Sequence, residues 1–328
     1  MTAAARAAAE TALWSSVLIG LLLVLRRAAA GRLEPACFRA AWVLLAARMA
    51  LPCSFVLSFA PLQAQLPLQA QAVAGQTRYR LLLSDAAAAA GGAQAARGGW
   101  DITMPLRMLP WIWLAGCCCF LIWHLVSYGI WLRKVRSTAA PERSEPILQQ
   151  ARTALGGRVA VWRMAQPGSP MVAGLVRPAL YLPRNFPERD LPYILAHEAQ
   201  HLRRHDLALQ LLLCAAGAVQ WFNPLAYVMR RAALCDLELA CDAAALRGRN
   251  LSYRRAYGFA VLHVLAGTRK DTLLASRFSG TSASLKARFE EMLRETKKRK
   301  GTWLPVLLAA VIGAASLLVG CGASMPTA

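Results

Sequence analysis

Three of the chain's five histidines fall in one stretch, Leu195-Ala196-His197-Glu198-Ala199-Gln200-His201-Leu202-Arg203-Arg204-His205-Asp206. Residues i and i+4 lie on the same face of an α-helix, so His197 and His201 can offer ring nitrogens to one zinc ion. Glu198 is placed to take a proton from a metal-bound water. The alternative is a solvated helix face, but the flanking leucines indicate a half-buried helix in which unpaired histidines are costly.

The residues before this stretch favour a helix. Asp190 offers an N-terminal cap, Pro192 fits a first helical turn, and leucine and isoleucine recur at helical intervals. We therefore expect the two histidines to share one helical face.

A catalytic zinc site needs a third protein ligand and a position for water. His205 is unsuitable because it lies eight residues, about 12 Å along a helix axis, from His197. The better candidate is Glu238, and Asp242 lies one helical turn after it. We expect Glu238 to bind the metal and Asp242 to accept the second N–H of a ligand histidine. The alternative for these acids is an exposed face that pairs with the arginines at positions 230 and 231.

The composition argues against a fully water-soluble protein. Of 328 residues, 57% are apolar and 17% are charged, with a formal net charge of +21. This apolar content also argues against disorder. Four apolar stretches are predicted to be membrane-spanning helices, namely 11–25, 40–59, 109–132 and 302–321.

Basic clusters at the ends of these stretches predict their orientation. Arg26-Arg27, Arg133-Lys134 and Lys297–Lys300 should all be cytoplasmic by the positive-inside rule. The loop 60–108, the N-terminus and a short tail within 302–328 would then lie outside, and 133–301 would form one cytoplasmic domain. The basic excess is thus explained by topology, and no direct contact with nucleic acid is expected.

Segment 207–222 is apolar but marginal for a crossing, and a crossing would separate Glu238 from His197. A buried or membrane-abutting helix that ends at Asn223-Pro224 fits better. Upstream, 158–164 alternates like a strand, and 171–182 indicates two short strands. A strand edge beside the zinc helix could hold an extended substrate, although a merely structural hairpin is an equal alternative.

The sequence resembles the BlaR/MecR-type membrane zinc metallopeptidases, which are antirepressor sensor-transducers. The resemblance rests on the order of spans and on Ser169-Pro170, Gly174-Leu175-Val176-Arg177-Pro178, His197-Glu198-Ala199-Gln200-His201, Arg204-His205-Asp206, Asn223-Pro224 and Glu238-Leu239-Ala240-Cys241-Asp242. It implies a gluzincin-like domain with zinc on His197, His201 and Glu238, and with Glu198 as the catalytic base. It also implies an outside signal, self-cleavage and inactivation of a winged-helix repressor.

One feature of the family's beta-lactam sensors is absent from the sequence. Those members carry an acylable Ser-x-x-Lys, whereas no serine here has a lysine three residues on. No covalent beta-lactam binding is therefore expected.

The predicted fold class is mainly α: a multi-span protein of the plasma membrane with a cytoplasmic α+β zincin-like (gluzincin) metallopeptidase domain. The predicted activity is zinc-dependent cleavage of a protein, either a repressor or the chain's own segment 278–300. The alternatives are a membrane quality-control protease and a non-catalytic transducer with a structural zinc site.

Overall fold

The structure is a computed structural model that describes residues 3–29, 31–51, 103–157, 159–165, 169–174, 178–267, 282–293, 299 and 301–322. The helices in these residues are α1 Ala3–Ala28, α2 Pro35–Ala50, α3 Thr103–Thr138, α4 Glu145–Leu155, α5 Leu191–Arg203, α6 Asp206–Val219, α7 Pro224–Ala245, α8 Leu251–Gly267, α9 Ser282–Leu293 and α10 Trp303–Gly322. The strands are β1 Ala139–Pro141, β2 Ala160–Met164, β3 Met171–Ala173 and β4 Ala179–Pro183. The fold is thus mainly helical with one sheet, as predicted.

Two described helical segments are long and apolar enough to cross a membrane, Thr11–Ala28 and Met108–Thr138. They correspond to the predicted spans 11–25 and 109–132. The predicted span 40–59 is described only in part, because α2 ends at Ala50 and residues 52–59 lie outside the described residues, as does most of the loop 60–108. Helix α10, Trp303–Gly322, overlaps the predicted span 302–321 in all but its first residue. The number of spans and their orientation stay predictions.

Helix α2 forms the centre of the largest apolar core. Trp42, Leu45 and Met49 are fully buried there, and α2 contacts α1, α6, α7 and α10. The Trp42 indole also donates a hydrogen bond to Asp236 of α7, with a nitrogen–oxygen distance of 2.8 Å. Helix α2 therefore connects the apolar helices to the helices that carry the predicted site.

Helices α6 and α7 form an antiparallel hairpin, which we call the α6–α7 hairpin. Asp206 begins α6, and its carboxylate lies 3.1 Å from the thiol sulfur of Cys241, near the end of α7. Helix α6 ends at Val219, and Pro224 is the first residue of α7, so the predicted turn at Asn223-Pro224 is present. Asn223 accepts a hydrogen bond from the Leu225 N–H at 3.0 Å and caps α7.

The tip of this hairpin, residues 220–223, packs against α1 and α3. Gln220 donates to the Ser15 hydroxyl at 3.2 Å, and Asn223 donates to the Ser16 hydroxyl at 3.0 Å. On the α3 side, the Trp113 indole donates to the Val219 carbonyl at 2.9 Å. The Trp221 indole donates to the Trp113 carbonyl at 3.2 Å. The chain thus turns back beside two candidate membrane helices.

The sheet has the order β1-β2-β4-β3, with β2 parallel to β4 and both outer pairs antiparallel. Strands β2, β3 and β4 lie where the sequence predicts strands. Helices α4 and α5 pack against the sheet through a second core that includes Leu180, Leu182 and Ile194. This contact sets the position of α5, the predicted zinc helix, beside the edge strand β3.

The predicted capping role of Asp190 is wrong. Asp190 ends a 3-10 turn, Glu188–Asp190, and its backbone is already helical, so its side chain makes no cap hydrogen bond to α5. Its carboxylate instead lies 2.8 Å from Nδ1 of His263 on α8. Pro192 does occupy the first turn of α5, as predicted.

Candidate metal centre

His197 and His201 lie one turn apart on α5, and their Nε2 atoms are 3.1 Å apart. Glu238 reaches the pair from α7, with Oε2 at 3.6 Å from Nε2 of His197 and Oε1 at 3.8 Å from Nε2 of His201. One potential ligand atom from each residue lies within 4.8 Å of the other two. The structure therefore brings the three predicted ligands together.

Each histidine is held through its other ring nitrogen. Nδ1 of His201 lies 2.8 Å from Oδ2 of Asp206. Nδ1 of His197 lies 3.1 Å from Oδ1 of Asp242 and 2.8 Å from the hydroxyl of Tyr257. A neutral ring that donates from Nδ1 keeps the lone pair on Nε2, so both Nε2 atoms are suited to bind a metal.

The acids at the centre have further partners. Tyr257 donates from its hydroxyl to Asp242 at 2.8 Å. Asp206 accepts from the guanidinium of Arg39 at 3.1 Å and from the thiol of Cys241 at 3.1 Å. Asp206 and Asp242 are both 1% exposed, so these contacts replace water around two buried carboxylates.

The charge balance of the cluster fits a divalent cation. The described residues at the histidine pair include four carboxylates, namely those of Glu198, Asp206, Glu238 and Asp242, and two guanidinium groups, those of Arg39 and Arg288. With both imidazoles neutral and all four acids ionised, the carboxylates outnumber the two guanidinium groups that pair with them, so the cluster favours a cation. Two imidazole nitrogens and one carboxylate oxygen are a donor set that suits zinc and leaves a position for water.

In the metal-free protein, bound protons supply positive charge that a metal ion would otherwise provide. Burial lowers the pKa of His197, but its hydrogen bonds to Asp242 and Glu238 outweigh burial and raise the pKa to about 10. Burial opposes ionisation of Glu238, yet the His197 hydrogen bond and the Arg288 charge lower its pKa to about 2. Because of these two shifts, His197 stays protonated and Glu238 stays ionised in the metal-free protein at neutral pH.

Glu198 projects from α5 toward the sheet. Its carboxylate is buried and accepts a hydrogen bond from the backbone N–H of Val172 at 3.1 Å. Burial is the main reason why its pKa is raised, against the lowering effect of the two imidazoles. Val172 lies in β3, an edge strand, so the outward N–H of that strand points at the site.

Four residues of the centre were missed by sequence reasoning, namely Arg39, Asp206, Tyr257 and Arg288. Asp206 is only five residues after His201, but its orientation depends on a sharp turn in which His205 adopts a left-handed backbone with φ of 54°. Tyr257 and Arg288 come from α8 and α9, and no local spacing connects them to the histidines. His205 itself is exposed in this turn.

A second group of potential ligands, His201, Asp206 and Cys241, overlaps the first. Burial and the neighbouring Asp206 carboxylate raise the pKa of the Cys241 thiol well above its usual range, so the sulfur keeps its proton and donates it to Asp206. In the metal-free structure this group supports His201, whose Nδ1 lies 2.8 Å from Asp206 and 3.4 Å from the Cys241 sulfur.

Comparisons with known proteins identify the family of this chain. The family model for the BlaR1 peptidase M56 matches residues 7–292. The chain is 30% identical over 125 residues to the regulatory protein BlaR1 of Bacillus licheniformis, covering 37% of this chain and 21% of that protein. It is 26% identical over 157 residues to the methicillin resistance mecR1 protein of Staphylococcus aureus, covering 46% of this chain and 27% of that protein. The matched region is thus about a quarter of these relatives' length, and by the family match the chain belongs to the BlaR1 peptidase M56 family.

Proposed function

We propose that this protein is a membrane-anchored zinc endopeptidase that cleaves a cytoplasmic protein in response to an outside signal. The observation that carries the proposal is the convergence of His197, His201 and Glu238, from two separate helices, with Glu198 beside them. Membership of a peptidase family supports the same conclusion. The names of the relatives, a regulatory protein and a resistance protein, favour a dedicated role in signalling.

His197, His201 and Glu238 would hold the zinc ion, and Asp206, Asp242 and Tyr257 would fix the two imidazole rings. When bound, zinc supplies the Lewis acidity that polarises a scissile carbonyl and lowers the pKa of a water molecule. The Glu198 carboxylate would accept a proton from the attacking water and pass it to the leaving amine. Its raised pKa, caused mainly by burial, suits a group that must take up and then release a proton.

Strand β3 is suited to hold the substrate. The N–H of Val172 points away from β4, and in this structure it is occupied by Glu198. An extended peptide that pairs with β3 would take this N–H and release the Glu198 carboxylate oxygen for proton transfer. Binding of substrate and activation of the base would then occur together.

The metal centre is proposed to face the cytoplasm. Arg26, at the basic end of α1, forms an ion pair of 2.7 Å with Asp236, two residues before Glu238. The centre therefore lies at the level of the Arg26-Arg27 cluster, and such clusters mark the cytoplasmic side of a membrane helix. The proposed substrates are a winged-helix repressor or the chain's own segment 278–300.

The Glu198→Gln variant tests the catalytic assignment. The full chain is purified in detergent, its zinc content is measured, and it is incubated with a repressor encoded beside its gene. We expect the variant to keep zinc and lose cleavage of both the repressor and the chain itself. Glu188→Gln makes the same change at an exposed position just before α5 and should cleave like the wild type. Retained proteolysis in Glu198→Gln would contradict the assignment, and stoichiometric zinc without cleavage by the wild type would favour a structural site.

A further inference from the structure

Helix α9 contributes an arginine to the metal centre from outside both ligand helices. Nη1 of Arg288 lies 3.2 Å from Oε2 of Glu238. Its Nε and Nη2 lie 2.8 and 3.0 Å from the two oxygens of Asp242. The Arg288 side chain is 13% exposed and that of Asp242 is 1% exposed, so this ion pair is largely shielded from water, whereas Glu238 is 36% exposed.

The position of α9 does not depend on these ion pairs alone. Met292 is buried against Leu246 and Tyr257, and Arg254 of α8 donates to the Met292 carbonyl at 3.2 Å. A Cβ built on Gly258 would lie 3.0 Å from the ring of Phe289, so the two helices approach closely where Arg288 enters the site. The arginine is thus delivered by a packed helix rather than by an isolated flexible side chain.

We propose that Arg288 is a positioning residue for the zinc centre, acting on two of its three ligands; this inference rests on the proposed function. It acts on Glu238 directly, by holding Oε2. It acts on His197 through Asp242, which contacts Nδ1 of that ring and accepts from Tyr257. A guanidinium has several N–H groups in a fixed planar arrangement, so one side chain can serve both carboxylates.

Arg288 also stabilises the buried carboxylate of Asp242. Asp242 is almost fully buried, and an unpaired carboxylate at such a position would be strongly unfavourable. Arg288 supplies the partner charge, with its Nε and Nη2 at 2.8 and 3.0 Å from the two carboxylate oxygens. The same carboxylate accepts the Tyr257 hydroxyl at 2.8 Å and lies 3.1 Å from Nδ1 of His197.

Zinc affinity and cobalt spectroscopy of the full chain in detergent test the proposal. Affinity is measured by competition with a chromophoric chelator, and the visible spectrum of the Co²⁺-substituted protein reports ligand geometry. Loss of a group that orients metal ligands typically costs about 10- to 100-fold in metal affinity, so we expect Arg288→Gln to bind zinc at least about tenfold more weakly and to change the cobalt spectrum. Arg288→Lys keeps the charge but not the planar fork and should be intermediate.

Lys286→Gln is the matched control. It removes one positive charge from the same helix, but Lys286 is 79% exposed and 3.9 Å from Glu290, away from the site. We expect wild-type zinc affinity and an unchanged cobalt spectrum. If Arg288→Gln does not fold, as judged by melting of the zinc-free protein, Arg288→Lys decides, and weaker binding by this variant supports the proposal.

The outcomes separate this inference from the proposed function. A wild-type protein that binds no zinc would overturn both. If the wild type binds zinc and cleaves while Glu198→Gln does not, the proposed function stands. Arg288 variants with zinc affinity within about twofold of the wild type and an unchanged cobalt spectrum would then overturn the positioning role alone.

Discussion

The two ends of the α6–α7 hairpin both bury polar side chains, but of opposite kinds. At the tip, Gln220 and Asn223 are neutral amides that bond to each other at 2.9 Å and to serine hydroxyls of α1. At the metal end, Asp206 and Asp242 are charged, and together with the other acids they exceed the nearby guanidinium groups. At the tip, the polar groups are neutral and hydrogen-bonded to one another. At the metal end, the carboxylates require additional positive charge.

This difference matches the surroundings of the two ends. The tip lies beside Ser15, within the candidate membrane segment Thr11–Ala28, about 16 Å along α1 from Arg26. Amides and hydroxyls that bond to one another are tolerated in an apolar environment, whereas isolated charges are not. The metal end lies level with the basic end of α1, where charged groups and a divalent ion can meet water.

The largest expected effect is the pH dependence of zinc binding at the metal end. Zinc needs both imidazoles neutral, and the pKa of His197 in the metal-free protein is raised to about 10. Each displaced proton should weaken zinc binding about tenfold for every pH unit lost. Chelator competition at about pH 6 and about pH 8 measures the slope, and an affinity that is independent of pH would contradict proton–metal exchange.

The same pKa shifts make the stability of the metal-free protein depend on pH. The raised His197 pKa contributes stability that is full below 6.5 and is lost as the pH rises through about 10. The lowered Glu238 pKa contributes stability that is present above 4.5 and is lost as the pH falls through about 2. The rise in melting temperature caused by zinc should therefore be larger at about pH 8 than at about pH 5.5.

Removal of the Asp206 carboxylate should give the next largest effect. Asp206→Ala leaves the His201 ring without its partner at 2.8 Å, so zinc affinity should fall about 10- to 100-fold. Glu142→Ala is the control, because it breaks a comparable ion pair of 2.6 Å to Arg163 outside the site. The control should lower the melting temperature and keep zinc affinity, and equal zinc affinities in both variants would contradict the role of Asp206.

A substitution near the tip should affect stability and spare metal binding. A Cβ at Gly116 of α3 would overlap the indole of Trp221, so Gly116→Ala should destabilise the fold by about 1–3 kcal/mol. Gly129→Ala, on the same helix with no neighbouring atom within 4 Å, should not destabilise it. Denaturant unfolding and chelator competition measure the two properties, and a loss of zinc affinity in Gly116→Ala would show that the two ends are coupled.

The smallest expected effect is at the cap of α7. Asn223→Ala removes the bond to the Leu225 N–H and leaves the buried Gln220 amide with fewer partners, at a cost of about 1–2 kcal/mol. Asn250→Ala removes a similar 2.9 Å bond to the Tyr253 N–H at an exposed position and should cost less. Equal losses of unfolding free energy would contradict a contribution from the buried bonds at the tip.

Local spacing accounts for what the sequence could predict. The i, i+4 separations of His197 from His201 and of Glu238 from Asp242 depend only on helical geometry, and Pro224 marks the turn that brings the two helices together. The strand within 158–164 followed from alternation, and the two short strands within 171–182 followed from turn residues such as Gly174.

Tertiary orientation accounts for what was missed. Asp190 was expected to cap α5, but the preceding 3-10 turn directs its side chain to His263. Arg288 is 50 residues from Glu238, in a helix whose pattern shows only that one face is apolar. Such contacts depend on how α8 and α9 pack, which no periodicity in the sequence encodes.

The exposed apolar surface of α3 determines the conditions in which this protein can be purified. Within the apolar segment Met108–Thr138 only Cys117 is buried, and Trp111 and Trp123 are each more than two-thirds exposed. A surface of this kind aggregates in plain buffer, so amphiphiles must be retained through every step of purification. The same indoles provide an intrinsic fluorescence signal that brominated detergent should quench.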